Sequence, residues 1–171
     1  MLEYLQFATL LAAAAMMVFA ACYDLFTMTI PNRLSLALGG LFLACALLLG
    51  MDWIDVALHL SAGLLVLAVG IGLFAAGWVG GGDVKFAAAT TLWMGFAHVL
   101  EYLFIASLAG GLLTILILAL RRLPIPARAQ GWVWLDRLHD PRSGIPYGVA
   151  LAAGGLFVLP RSPVWAAAFG L

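Results

Sequence analysis

Asp24 and Asp83 stand where carboxylates are expensive. Asp24 closes the uncharged stretch 4–23, and Asp83 follows Gly80-Gly81-Gly82 at the head of another apolar stretch. An ionisable side chain at or inside a membrane span costs at least a few kcal/mol, so each of the two asks for a function. Asp83 has an alternative account, because the N-terminal end of a helix favours and can be capped by an aspartate. Asp24 has none: a helix C-terminus is the wrong end for an anion, and the nearest basic residue is Arg33. Two carboxylates at one depth on one membrane face can meet across a helix bundle and share a proton. One then takes a proton from water while the other donates to the scissile carbonyl or the leaving amine. The glycine triplet before Asp83 is read either as a turn with positive φ and close backbone approach or as a plain flexible connection.

The elements that must position this pair follow from composition. In 171 residues, 65% are apolar and 9% charged, against roughly 45–50% and 25% in a soluble domain. A globule of this size cannot hide that much apolar surface from water. Soluble enzyme, nucleic-acid binder and disordered linker are excluded, and the chain is an all-α polytopic membrane protein of a single domain. Zero net charge offers no field for nucleic acid. Cys22 and Cys45 lack CxxC neighbours and are expected to be buried packing residues. No cluster of His, Cys, Asp and Glu has metal-ligand spacing, so no metal or other cofactor is expected.

Six long uncharged runs, 4–23, 34–51, 56–82, 86–100, 102–120 and 143–160, divide the chain. A span needs about 20 residues, with a range of roughly 17 to 25, so six transmembrane helices are predicted, the fourth being short. Residues 1–23 are not read as a cleaved signal, since their only charge is Glu3. With the N-terminus outside, the inner connections hold Arg33, Lys85, Arg121, Arg122, Arg128, Arg137 and Arg142, and only Arg161 falls outside. This partition predicts both termini outside and both aspartates at the cytosolic face. A reporter fused after Arg128 should therefore read cytosolic and reporters after Asp52 or at Leu171 periplasmic; a cytosolic signal at Asp52 would reverse the orientation.

The connection 121–142 is the one long polar loop. Pro124 and Pro126 argue against continuing the preceding helix. Trp132 to Leu135 with Arg137 and Leu138 predict a short amphipathic helix on the inner surface, its Trp132 and Trp134 acting as interfacial anchors or as substrate contacts. His59 is expected to be an interfacial or packed histidine.

Gly80-Gly81-Gly82-Asp83-Val84-Lys85 resembles the G-x-G-D-x-K signature of the type IV prepilin peptidases, a family of GxGD aspartyl proteases. Asp24 followed by Ile30-Pro31-Asn32 is similar to the family's first catalytic motif. Gly144 to Ala150, with Pro146-Tyr147-Gly148, is similar to the P-Y-G-x-A segment that opens its last helix. The likeness is greatest to the small peptidases of tight-adherence, Flp-type, pilus systems. It implies cleavage of short basic leaders from prepilins and pilin-like proteins at the cytosolic face of the bacterial inner membrane, without metal, by Asp24 and Asp83. Larger relatives carry an extra cytosolic domain, often with paired CxxC motifs, associated with N-methylation; nothing of that kind is present here. Relatives often place a basic residue two or four positions after the first aspartate, where this chain has Phe26 and Met28.

Pro31 and Asn32 are expected to shape the start of the second helix, with Asn32 as an N-cap. Lys85 either orients the pair or anchors the inner face, and Asp136 and Asp140 either attract the basic leader or form a solvated loop face. Two other classes compete: a small proton-coupled transporter and a non-catalytic pilus-assembly subunit. Transporters of this kind show paired repeats and broken helices at the midplane, and here no repeat is evident and the acids lie at the membrane edge. Oligomeric state is left open.

Overall fold

The computed structural model describes residues 1–125, 128 and 131–170; Pro126 and Leu171 lie outside them. The described residues fold as helices: α1 (Leu2–Thr27), α2 (Asn32–Leu49), α3 (Trp53–Ala75), α4 (Gly81–Leu120), α5 (Val133–His139), α6 (Tyr147–Val158) and α7 (Pro163–Phe169). A 3-10 turn, Leu159–Arg161, joins α6 to α7, and the two together bend by 43°. Four helices, α1 to α4, are long and apolar enough to cross a membrane, or five if the bent pair counts as one span. The chain is an all-α polytopic membrane protein.

The largest departure from the sequence reading is in α4. Its 40 residues would be about 60 Å long if straight, twice the roughly 30 Å of a hydrocarbon core. It is not straight: Gly95, with φ 61 and ψ −174, breaks it. Ala87 before the break and Val99, Leu103 and Ala106 after it border the same cavity, so the two arms double back on each other. The predicted fourth and fifth runs are these arms. Their junction is Gly95 and not the charged Glu101, because only a residue without a Cβ adopts that backbone at no cost. A Cβ there would also sit 2.9 Å from the buried His59 ring, whose Nδ1 lies 2.6 Å from the Leu92 carbonyl oxygen. His59 stacks on Phe42 and is a packed residue. Glu101 instead pairs with Arg161, the one basic residue expected outside, at 2.6 Å.

The core runs along α1, α2, both arms of α4 and α6. Trp93, Tyr102, Phe42 and Phe86 are its largest fully buried side chains. Large apolar residues such as Leu11, Val18, Leu64 and Leu112 are exposed on the outer faces, as a lipid-facing surface requires. Cys45 is buried as expected; Cys22 is not, because it lies on the outer side of α1. The predicted inner-surface helix forms as α5, shifted by one residue.

Candidate active site

Four chain segments meet at one end of the bundle. α1 terminates at Met28, which takes φ 57 and returns its N–H to the Asp24 carbonyl oxygen at 2.7 Å. The left-handed residue reverses the chain, and Ile30, held extended by the proline that follows, leads into α2. Ile30 is buried. Against it pack Gly82, where a Cβ would lie 3.4 Å from Ile30 backbone and side-chain atoms, and Gly148, where a Cβ would lie 2.7 Å from its Cδ1. Ile30 is thus the common spacer between the segment carrying Asp83 and the segment opening α6.

Asp24 is 4% exposed, in the last turn of α1. Among the described residues its one polar contact is the Gly148 N–H, which donates to Oδ2 at 2.7 Å. The donor belongs to the first turn of α6, where backbone N–H groups have no helical partner. Asp83 is partly buried in the first turn of α4, its carboxylate lying close beside Gly80. The segments that carry the two carboxylates meet at Ile30, against which both Gly148 and Gly82 pack. One backbone N–H holds Asp24, and no cation pairs with either carboxylate among the described residues.

Of the two readings of the glycine triplet, the close approach forms without the positive φ. Gly80 is extended, with φ −75, and Gly81 and Gly82 are helical; positive φ occurs upstream at Gly77 instead. What the triplet supplies is room. A Cβ at Gly80 would lie 2.7 Å from Asp83 Oδ2, and one at Gly81 would lie 3.3 Å from the Phe74 ring.

Lys85 is exposed and donates from Nζ to Asn32 Oδ1 at 2.9 Å, tying α4 to the start of α2. Asn32 is consequently not the N-cap of α2. Pro31 holds that position, and α2 begins without a side-chain cap.

α5 closes this end from the side. Trp134 meets Phe26 edge-on at 5.5 Å between centroids and stacks with Trp132 at 6.1 Å. Arg137 reaches the Phe26 carbonyl oxygen at 3.3 Å. A basic group thereby stands beside position 26, supplied from α5 and not from α1. Arg121 holds the other side of α5, donating to the carbonyl oxygens of Leu138, Ser143 and Gly144 at 2.8 to 3.0 Å. Asp136 and Asp140 are exposed, and Asp140 Oδ1 accepts from the Arg142 N–H. Neither is brought to the aspartate pair.

Asp83 borders a cavity of about 360 Å3 between α3, the two arms of α4 and α6. Apart from Asp83, its only polar linings are Ser107 and Tyr147; the rest is aliphatic. Tyr147 lies flat against Gly110, where a Cβ would come within 2.6 Å of the phenol oxygen. The sequence placed Tyr147 and Gly148 in a motif without a task. Their task is geometric, since Gly148 fixes Asp24 while its neighbour Tyr147 walls the space in front of Asp83.

No curated protein and no solved structure matches the chain significantly. The model of the type IV leader peptidase family matches residues 11–115, which include Asp24, the α1–α2 reversal and the Gly80–Asp83 segment but not Gly148. With more than half its length matched, this membrane-embedded chain belongs to the type IV leader peptidase family.

Proposed function

We propose that this peptidase is an aspartyl endopeptidase in which Asp24 and Asp83 together activate water. Its substrates on this reading are Flp-type prepilins and pilin-like proteins, from which it removes a short basic leader at the cytosolic face of the inner membrane. The observation that carries the reading is the isolation of the two carboxylates. Asp24 accepts one backbone N–H, no cation pairs with either carboxylate among the described residues, and Ile30 packs against both the Gly148 that holds Asp24 and the Gly82 that precedes Asp83. Two acids so held stabilise a shared proton better than two negative charges, which is the state paired-carboxylate hydrolysis needs.

The steps follow from that state. The ionised member takes a proton from water as the water oxygen bonds to the scissile carbonyl carbon, and the protonated member gives its proton to the carbonyl oxygen. Collapse of the tetrahedral intermediate breaks the C–N bond and passes a proton to the leaving amine. The aliphatic cavity beside Asp83 suits an apolar segment C-terminal to the bond, while a basic leader remains at the polar end with Asp136 and Asp140.

The test is cleavage of a synthetic prepilin in detergent micelles, followed by product mass. EDTA should leave the rate unchanged, because no three His, Cys, Asp or Glu side chains gather into a ligand set among the described residues. Serine reagents should be equally inert. Thiol reagents should be too, although Cys22 is exposed, because two residues along a helix turn it about 200° away from Asp24. Abolition by EDTA and recovery with zinc would overturn the metal-free mechanism.

A further inference from the structure

On the opposite side of the first α4 arm from the Asp83 cavity lies a second space, a groove of about 650 Å3 between α2, α3 and α4. Its cytosolic-end lining is polar and its length is aliphatic. At the polar end stand Asn32, Ser35 and Lys85; Lys85 is the only charged residue of the lining, and no acid faces it. Lys85 spends one N–H on Asn32. An ammonium has three such donors, so two remain, and the Asn32 amide adds two more.

Ser35 is the least explained of the three. It is 7% exposed, it lines the groove, and its hydroxyl has no hydrogen-bond partner. Serine within a helix ordinarily bonds back to a carbonyl three or four residues earlier. A buried hydroxyl without a protein partner is costly, and an acceptor in the groove would relieve that cost. The neighbouring first turn of α2 also offers backbone N–H groups, uncapped by any side chain.

The length of the groove selects the occupant. From Asn32 to Leu43 along α2 is about 16 Å at the helical rise, close to half of a hydrocarbon core roughly 30 Å thick. Leu92, packed on Gly63 so closely that a Cβ there would lie 2.5 Å from it, closes the deep side. A transmembrane peptide helix needs about twice that depth. One acyl chain of one leaflet does not.

We infer that this groove is a binding site for an anionic glycerophospholipid. The phosphate is held by Lys85, Asn32 and the start of α2, an ester carbonyl accepts from Ser35, and one acyl chain lies along Gly39 and Gly40. The site does not depend on the aspartate pair. It makes Lys85 a lipid ligand and a clasp between α2 and α4, and it places a bound lipid against the wall whose other face carries Asp83.

The probe is phosphatidylglycerol with a photoactivatable acyl chain, added in trace amount to the full protein in phosphatidylcholine nanodiscs, with labelled peptides mapped by mass spectrometry. Labelling should concentrate on Leu36–Leu43 and Leu60–Leu67, and a phosphatidylcholine probe with the same chain should not concentrate there. Lys85→Gln should reduce the groove labelling about tenfold, the loss of one charge-assisted contact. Gly40→Phe should reduce it by about as much. A Cβ at Gly40 meets nothing within 4 Å, so the ring fills the groove without moving backbone. Unchanged labelling of the exposed Leu11 and Val18 face in both variants certifies that the protein is folded. Equal labelling in Gly40→Phe and the parent would overturn the inference, as would equal labelling by the two lipids. Displacement of the lipid by a stoichiometric prepilin would overturn it in favour of the substrate.

Discussion

Asparagine at position 24 or at position 83 is expected to abolish leader cleavage while leaving the protein folded in the membrane. The amide is nearly isosteric with the carboxylate, so the packing of Asp24 against Gly148 and Ile30 survives. The Gly148 N–H keeps an acceptor, because an asparagine carbonyl can replace Oδ2. What is lost is proton exchange, and general acid–base catalysis contributes roughly 10² to 10⁴-fold per group. If the pair acts as one unit, as proposed, the double variant should be scarcely slower than either single one. Asp52→Asn and Asp55→Asn are the controls. Both acids lie beside His59 and Gly95 at the opposite end of the bundle, and both variants should cleave normally. Cleavage by Asp24→Asn at near the parental rate would remove Asp24 from the chemistry and leave Asp83 in need of another partner.

Much of this arrangement was legible in the sequence, and the failures share a physical cause. Charges in an apolar chain are costly, so their positions report helix ends faithfully, and the runs bounded by Asp24, Arg33 and Arg121 fall on α1, α2 and the second α4 arm. Where the chain reverses inside an apolar stretch, no charge marks the event. Gly95 does so with backbone geometry alone, and the charge-based boundary at Glu101 missed it by six residues. The triplet Gly80–Gly82 was legible by half: the close approach read from it is present, toward Ile30 and Asp83, and the positive φ is not. Glycine serves both uses, and sequence does not separate them. Asn32 looked like a cap because its side chain and position fit one. Its oxygen is taken instead by Lys85, 53 residues away, and the proline before it occupies the cap position. The contact of Arg137 with the Phe26 carbonyl oxygen spans 111 residues. Contacts of that range leave no local trace.

Gly148 is the residue on which the geometry makes its most demanding claim. It lies outside the family-matched segment, in the stretch that resembles the P-Y-G-x-A motif, and its position against Asp24 is what gives it an expected effect. A Cβ at Gly148 would lie 2.8 Å from Asp24 Oδ2, 3.1 Å from Asp24 Cβ and 2.7 Å from Ile30 Cδ1. Ile30 Cδ1 and Asp24 Oδ2 are the far ends of side chains and can swing aside, while Asp24 Cβ, fixed to its backbone, needs only a few tenths of an ångström of give, so the fold accommodates Gly148→Ala mainly by moving side chains. Alanine is even the better helix former, by roughly 0.5–1 kcal/mol, which offsets part of the crowding. The Asp24 carboxylate is the group that must yield, because its oxygen sits 2.7 Å from the Gly148 nitrogen and has no second anchor. A displacement of about 1 Å in a catalytic group costs on the order of 10²-fold in rate. Gly148→Ala should therefore lower kcat by that order with little change in KM or thermal stability, and Gly148→Val should lower it further. Gly144→Ala, four residues earlier and with nothing within 4 Å of its Cβ, should be silent. A Gly148→Ala enzyme that turns over at the parental rate would show that Asp24 does not need the position the α6 N–H gives it. A variant that loses stability in step with activity would instead make Gly148 a packing residue only.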